Sequence, residues 1–427
     1  MAGENHPDVA ESYDVIVIGG GPAGSTAATL VARDGRRVLL LDRERFPRFR
    51  IGESLMPATY WTLKRLGVLE QMKASRFPQK QSVQFFSKSG RSSVPFYFAE
   101  FDPHESSQTW QVDRAEFDQL LLDNAAAAGV EIRQRANVKD VLFDGSRASG
   151  VVVELGGGER RRIAAPVTVD ATGQNALLSR KLGLKNEDPT LRHVAFFTRY
   201  RGAKRDEGID EGATLVLHTH EPKCWFWYIP LPDDQVSVGV VGPIGTLCGN
   251  RAGEPQAVYD EQAVKCPALQ ERIANAEQST KVDVLRDFSY ISKRIAGDGW
   301  VMAGDAFGFL DPIYSTGVFL ALKSAEFAAD AISEAFRNED FSGARLGRHG
   351  ERYVAGMEAM RKLVYAYYDE SFHIPQFLKS HPECREQVVN LLIGNVFRKS
   401  VDGLFEAMGR MTELPASRTL SPPEERS

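Results

Sequence analysis

The residues of this chain best placed to do chemistry fall in a few short runs. Gly19-Gly20-Gly21-Pro22-Ala23-Gly24 follows a β-branched run and opens an alanine-rich one, the context in which G-x-G-x-x-G binds a dinucleotide. Gly19 permits the tight turn, Gly21 lets backbone approach a pyrophosphate, and Gly24, just past Ala23, lets helix pack on strand with the phosphate at the helix N-terminus. Asp42 ends the next apolar run, where a carboxylate accepts hydrogen bonds from ribose hydroxyls. On its own this fingerprint fits a flavin or a nicotinamide dinucleotide equally. In Trp225-Phe226-Trp227-Tyr228-Ile229-Pro230 the two tryptophans alternate, so on a strand they share one face while Phe226 and Tyr228 take the other. Phe309-Leu310-Asp311-Pro312-Ile313-Tyr314-Ser315-Thr316-Gly317 is a turn opening a helix, where successive amides make a weakly positive nest for a monovalent anion. Lys80 precedes a strand; a lone lysine is ordinarily a solvated surface group.

The elements that must position these residues follow from periodicity. Asp14 to Ile18 reads as a buried strand, Pro22 to Arg33 as the following helix and Val38 to Leu41 as the next strand, the first half of a doubly wound nucleotide-binding sheet. Segments 82–98, 192–201, 213–219, 224–231 and 235–242 are rich in Phe, Tyr, Val and Thr and predict an antiparallel sheet over the cofactor, with helices at 114–128 and 254–275. Strand character returns at Trp300-Val301-Met302-Ala303, before a helix from Gly317 to Arg337. The expected fold is therefore α/β: a Rossmann-like nucleotide-binding domain, discontinuous over 10–343, with an antiparallel β-sheet substrate region interleaved at about 77–100 and 185–290. A helical C-terminal segment is expected over 344–413, with Arg352 to Tyr368 and Glu386 to Phe397 amphipathic, and a disordered Pro-, Ser- and Glu-rich tail over 414–427.

The chain has 427 residues, 43% of them apolar and 10% aromatic, ample for a large core. Its net charge of -5, from 52 basic and 57 acidic side chains, offers no field to gather a polyanion, so nucleic acid is not an expected partner. Arg160-Arg161-Arg162 reads as a solvated turn; the stretch holding Arg43, Arg45, Arg48 and Arg50 is a second basic cluster. Cys224, Cys248, Cys266 and Cys384 are widely spaced without C-x-x-C, which suggests neither zinc nor disulfides and suits a reducing cytoplasm. No signal core or membrane span is expected. His218 and His220 alternate without a third ligand at telling spacing, and no metal is assigned.

Further segments resemble the FAD-dependent hydroxylase superfamily. Trp300-Val301-Met302-Ala303-Gly304-Asp305-Ala306 is similar to its second FAD signature, which implies that Asp305 binds the ribityl chain. Asp170-Ala171-Thr172-Gly173 resembles its D-x-T-G turn near the pyrophosphate, and Arg114, in Asp113-Arg114-Ala115-Glu116-Phe117, stands where that superfamily holds an arginine against the adenosine portion. The implied cofactor is FAD.

Within that superfamily the chain most resembles the flavin-dependent halogenases, over about residues 10–400. The tryptophan pair is similar to their W-x-W-x-I-P signature and 309–317 to their F-x-x-P-x-x-S-x-G segment; Gly52-Glu53-Ser54-Leu55-Met56-Pro57 is a G-E-S-x-x-P turn shared with prenyl reductases. The resemblance implies that Lys80 is the catalytic lysine and that Trp225 and Trp227 shield the flavin from the organic substrate. It also implies that the amides of Thr316 and Gly317 bind halide, and that Glu53, Ser54 and Pro312 belong to the cofactor site. Ser82 and Cys224 depart from the pattern, standing where many relatives have glycine. Tyr314 stands where tryptophan halogenases place glutamate, so the resemblance favours the group acting on phenols and on carrier-protein-tethered pyrroles. The implied activity uses FAD as FADH2 from a separate flavin reductase, O2, and chloride or bromide. A single-component aromatic hydroxylase or a geranylgeranyl-reductase-like enzyme shares the cofactor motifs, and a non-enzymatic flavin-fold binding protein is a third reading.

Overall fold

The computed structural model describes residues 11–249, 254–286, 289–401 and 403–421. A six-stranded sheet organises the nucleotide-binding half, in the order Ala296–Gly297, Trp300–Met302, Val167–Asp170, Val15–Ile18, Val38–Asp42 and Glu131–Gln134. All its pairings are parallel except the hairpin joining the first two strands. Val15–Ile18 and Val38–Asp42 are buried along their whole length, as expected of parallel strands covered on both faces. Helix Pro22–Arg33 packs beside the long helix Thr316–Arg337. This sheet thus joins strands from early in the chain, Val15–Ile18 and Val38–Asp42, to Trp300–Met302 in its last third.

The second sheet has eight strands. Its path runs Glu277–Gln278, His193–Arg201, Gln235–Pro243, Trp225–Pro230, Thr214–His218, Ser82–Phe86 and Phe96–Tyr97, and Asp283–Arg286 also pairs with His193–Arg201. It departs from the expected antiparallel pattern at one seam, where Thr214–His218 runs parallel to Ser82–Phe86. That pairing brings the segment before Thr214 against Lys80. The expected long helix over 254–275 is two helices, Pro255–Val264 and Pro267–Ile273. Pro267 has no N–H to continue the first, and Cys266 before it is extended at φ -119 and ψ 92, the conformation that a following proline enforces. His218 ends its strand and His220 lies beyond it, so the two do not alternate on one strand.

Strand alternation divides the apolar interior. Phe226 and Tyr228 join a core with Val236, Val238 and Val240 under the 255–273 helices, whereas Trp225 and Trp227 join Phe197, Ile229, Ile313 and Tyr368 on the other face. Gly239 is paired with Trp227, and a Cβ there would stand 2.3 Å from the indole Cζ2 and 2.6 Å from Phe197 Cβ. Only a glycine lets that indole lie flat on the sheet.

The C-terminal segment is helical, chiefly over Gly350–Tyr368 and Arg385–Ile393. It reaches back to the nucleotide-binding half: the Ala58 amide donates to the Ile393 carbonyl at 2.9 Å. The expected disorder of 414–427 gives way over 414–421. Arg361 donates to the Ala416 carbonyl at 2.6 Å, Arg418 pairs with Asp188 at 3.2 Å, and the Ser421 amide donates to the Lys293 carbonyl at 2.7 Å. Buried charges with exact partners hold this irregular stretch in place, a signal its composition does not carry. Residues 422–427 lie outside the described residues. Among the described residues no helix is long and apolar enough to cross a membrane.

Gly239→Ala should displace the Trp227 ring and destabilise the fold by ~1–3 kcal/mol through overpacking. Denaturant unfolding with tryptophan emission checks this, and a variant matching the parent in midpoint and spectrum would contradict the packing.

Candidate active site

A cavity of about 510 Å³ opens between the two sheets. Its floor is built where four parallel strands end: Gly19 after Val15–Ile18, Asp42 closing Val38–Asp42, Ala171 after Val167–Asp170, and Ala303 after Trp300–Met302. Carboxyl ends of parallel strands are where doubly wound folds receive ligands. Gly19 has φ +104, and a Cβ there would lie 2.3 Å from the Ala171 carbonyl oxygen; a Cβ on Gly24 would lie 1.8 Å from the Gly19 carbonyl oxygen. Gly24 therefore locks helix to strand, while Gly21, Pro22 and Ala23 face the cavity. At Gly21 the one atom a Cβ would approach is an Arg48 guanidinium nitrogen at 3.3 Å. Bare backbone, a helix N-terminus and an arginine converge there, a donor set that fits a pyrophosphate.

The other predicted cofactor residues divide into those on the wall and those behind it. Asp42 lines the cavity and accepts from the Gly20 amide at 2.7 Å and the Glu44 amide at 2.8 Å. Arg114 lines it too, with its guanidinium braced by both oxygens of buried Asp118 and donating to the Ile51 carbonyl at 2.6 Å. Burial pushes the Asp305 carboxyl up to about 7, a rise that nearby Arg114 opposes; a carboxyl with that surrounding suits hydroxyl donors such as a ribityl chain. Burial likewise raises the Glu53 carboxyl, opposed first by Arg199 at 3.5 Å. Pro312 and Gly317 complete the far end. Asp170 is the exception. Its carboxylate accepts from the Thr172 amide at 3.0 Å and the Leu178 amide at 2.7 Å, so it staples the turn from behind, and Ala171, Thr172 and Gly173 meet the cavity instead. The basic cluster proves to be part of the mouth: Arg43, Arg48 and Arg50 line it, and Arg48 pairs with Asp118 at 2.7 Å. Its place directly after Asp42 was the available signal.

Trp225 and Trp227 form one wall, with Val216 and Ile229. Both indoles are anchored, Trp227 Nε1 donating to Ser237 Oγ at 3.1 Å and Trp225 Nε1 to the Tyr368 hydroxyl at 2.9 Å. Tyr368 in turn donates to Asp311 Oδ2 at 3.0 Å, which His193 Nδ1 also contacts at 2.7 Å. Asp311 Oδ1 accepts from the Ile313 amide at 3.1 Å. A single enclosed carboxylate thereby ties the tryptophan wall, the C-terminal helix and the turn 312–317 together. Asp311 sits inside the 309–317 run, but no local motif links it to His193 or Tyr368, which lie far away in sequence. Ser315 takes the left-handed conformation, φ 56 and ψ 31, and Thr316 and Gly317 start the 22-residue helix. Thr316 Oγ1 is buried without a hydrogen-bond partner among the described residues. An anion at this turn would meet the positive end of a long helix.

Lys80 is 2% exposed and sits one hydrogen bond behind the cavity wall. Its Nζ lies 2.8 Å from Ser54 Oγ and donates to the Leu55 carbonyl at 3.2 Å, and Ser54 and Thr214 face the cavity. On its other side Nζ lies 5.6 Å from the Phe98 ring centre, part of an apolar group with Val389 and Ile393. Burial brings the amine down to about 7. Ser54, expected at the cofactor, is therefore also the lysine's partner. Gln111 and Thr214, which complete that hydrogen-bonded cluster, were not legible as functional residues.

Comparison with known proteins bears on this arrangement. Residues 12–344 match the FAD binding domain family model. The chain is 32% identical to a 1H-pyrrole-2-carbonyl-[peptidyl-carrier protein] chlorinase of Pseudomonas fluorescens, covering 95% of this chain and 93% of the relative. It is 33% identical to a 1H-pyrrole-2-carbonyl-[peptidyl-carrier protein] brominase of Pseudoalteromonas luteoviolacea, covering 91% and 93%. The solved structure of the flavin-dependent brominase Bmp2 superposes with a TM-score of 0.84 at 31% identity, covering 93% of this chain and 98% of that one. With more than nine-tenths of both chains matched in each case, the chain belongs to the flavin-dependent halogenase family, enzymes whose cofactor is FAD and whose second small requirement is a halide ion.

Proposed function

We propose that this enzyme uses FADH2, O2 and chloride or bromide to form hypohalous acid and halogenates an electron-rich aromatic ring, a phenol or a pyrrole, through Lys80. The observation that carries this reading is an enclosed amine whose hydrogen-bond partners among the described residues are neutral, one hydroxyl behind the wall of the flavin cavity. Bound FADH2 supplies the oxidant from O2. The amides of Thr316 and Gly317 hold the halide, and the anchored indoles of Trp225 and Trp227 fill the wall so that a ring cannot reach the flavin while a small acid can pass. On the far side, beside Phe98, the Lys80 amine takes the halogen from hypohalous acid as the oxygen–halogen bond breaks, and the hydroxide leaves with an amine proton as water. A surface ammonium would not do this; a desolvated amine has the lone pair that capture of hypohalous acid requires. The relatives named for pyrrole-2-carbonyl carrier proteins support a carrier-tethered pyrrole as one form of the substrate. FADH2 comes from a separate flavin reductase, and the enzyme works in the cytoplasm.

Lys80→Ala should lose at least ~100-fold in halogenation while FAD binding and O2 consumption persist. Mass spectrometry of a phenol and pyrrole panel with FAD, a flavin reductase, NADH and bromide reads the bromine isotope pair; undiminished bromination by the variant, or hydroxylated products alone from the parent, refutes the proposal. Because the free amine is the competent form and its midpoint is about 7, the rate should rise with pH through that region and level off above it.

Enclosing Lys80 also has a pH-dependent energetic cost. Its folded-state midpoint lies below the ordinary lysine value of 10.5, so below that ordinary value folding must strip a proton or bury a charge. The cost is absent at high pH, grows as pH falls toward the folded midpoint, and stays constant below it. Lys80→Met should therefore stabilise the protein at pH 7 by on the order of 2 kcal/mol and by much less near pH 10. Denaturant melts at the two pH values check the difference, and equal effects at both would count against a neutral buried amine.

A further inference from the structure

Four backbone segments converge on Lys80, and uncharged side chains from three of them form an unbroken hydrogen-bond chain. Lys80 Nζ lies 2.8 Å from Ser54 Oγ, and Ser54 Oγ lies 2.8 Å from Thr214 Oγ1. Gln111 Nε2 donates to Thr214 Oγ1 at 2.8 Å and to the Gly212 carbonyl at 2.8 Å. None of the four side chains is more than 5% exposed. Backbone pairing sets the geometry: Ser54 is bridged to Gln111, and Lys80 pairs with Thr109. Gly212 brings the Thr214 segment in so closely that a Cβ on it would stand 2.1 Å from the Gln79 carbonyl oxygen.

The chain has a direction. An amide nitrogen donates and does not accept, and the Gly212 carbonyl fixes which end of the Gln111 amide faces inward, because a swapped amide would set oxygen against oxygen. One Gln111 hydrogen therefore goes to Gly212 and the other to Thr214 Oγ1. The Thr214 proton then points to Ser54 Oγ, and the Ser54 proton is left for the lone pair of a neutral Lys80. If Lys80 is charged it has no lone pair. It then donates to Ser54, whose oxygen accepts from both sides while its own proton turns to the cavity that Ser54 lines.

We propose that Gln111 and Thr214 are positioning residues that act through Ser54 to hold Lys80 as the free amine, with the Ser54 hydroxyl as the point where its proton exchanges with the flavin cavity. In that exchange the Nζ–H bond breaks as a Ser54 O–H bond forms, and the former Ser54 proton passes to water in the cavity. The downward displacement of the amine by burial is in the same direction. Ionisable groups on the converging segments are turned elsewhere: Asp113 takes Arg199 at 2.8 Å, and Glu211, just before Gly212, is exposed. Glu53 takes the Gly52 amide at 3.0 Å and Arg199 at 3.5 Å. Asp210, before Thr214, takes the Ser82 hydroxyl at 3.0 Å and Tyr97 at 2.8 Å. Glu100, beyond Phe98, is exposed. Selection of the amine state thus falls to neutral dipoles.

The inference rests on the Lys80 reading above but is tested apart from it. FAD-loaded protein labelled with 13C at lysine Cε is titrated by NMR, the Lys80 signal being identified by its loss in Lys80→Met. Thr214→Val removes the hydroxyl at nearly constant shape, and its Lys80 midpoint should rise by about one pH unit, a tenfold change in the amine equilibrium. Thr214→Ser should stay near the parent, and the acid limb of the halogenation profile should move with the midpoint. Gln111→Met, which deletes the directing donor, should shift the midpoint the same way and serves if Thr214→Val fails to fold. A Thr214→Val or Gln111→Met midpoint equal to the parent's, or a Thr214→Ser shift as large as that of valine, overturns the proposal. Bromination by Lys80→Ala would instead sink the parent reading while leaving these titrations intact.

Discussion

An amine enclosed without a carboxylate imposes the strictest condition on this structure. A charged Lys80 would cost several kcal/mol in that setting, so its surroundings must offer partners that suit the neutral form and must keep water and acids away. The parallel seam between Thr214–His218 and Ser82–Phe86, the close approach at Gly212 and the helix Arg385–Ile393 behind Phe98 all serve that condition. Each is a feature of the second sheet or of what leans on it. The nucleotide-binding half could be kept unchanged and the amine would still be lost if this sheet were built differently.

A second enclosed group works the opposite way. Asp311, fully buried, is surrounded by donors from three parts of the chain: His193 on the large sheet, Tyr368 on the C-terminal helix and the Ile313 amide of its own turn. Removing any one donor leaves a carboxylate under-solvated in the interior, which is why such clusters hold their members to one arrangement. Through Tyr368 the same cluster reaches Trp225. The orientation of the tryptophan wall and the shape of the turn that opens the long helix are therefore not independent.

What could be seen in the sequence was the chemistry that is local. The glycines of 19–24, Asp42 and the alternation of Trp225 with Trp227 each state their role within a few residues, and the structure places them at strand ends and on one sheet face accordingly. Asp170 belongs to an equally local pattern, yet its carboxylate is consumed by the turn it stabilises; the pattern marks the turn and not the contact. The hydrogen-bonded partners of Lys80 are separated from it by as much as the distance to Thr214, and no periodicity links them. The break at Pro267 was visible in the letters, but apolar spacing continues across it, so only the missing amide reveals two helices. Asp188, Glu358, Arg361 and Arg418 form a buried charged group whose members look solvated when taken one at a time.

That last group changes how the end of the chain should be handled in the laboratory. Shortening the protein to residue 413 to remove an apparently floppy extension would take away Arg418 and the Ala416 carbonyl, leaving Asp188, Glu358 and Arg361 with one cation among two carboxylates. An affinity tag is better appended after Ser427 than grafted in place of the stretch that holds Ala416, Arg418 and Ser421.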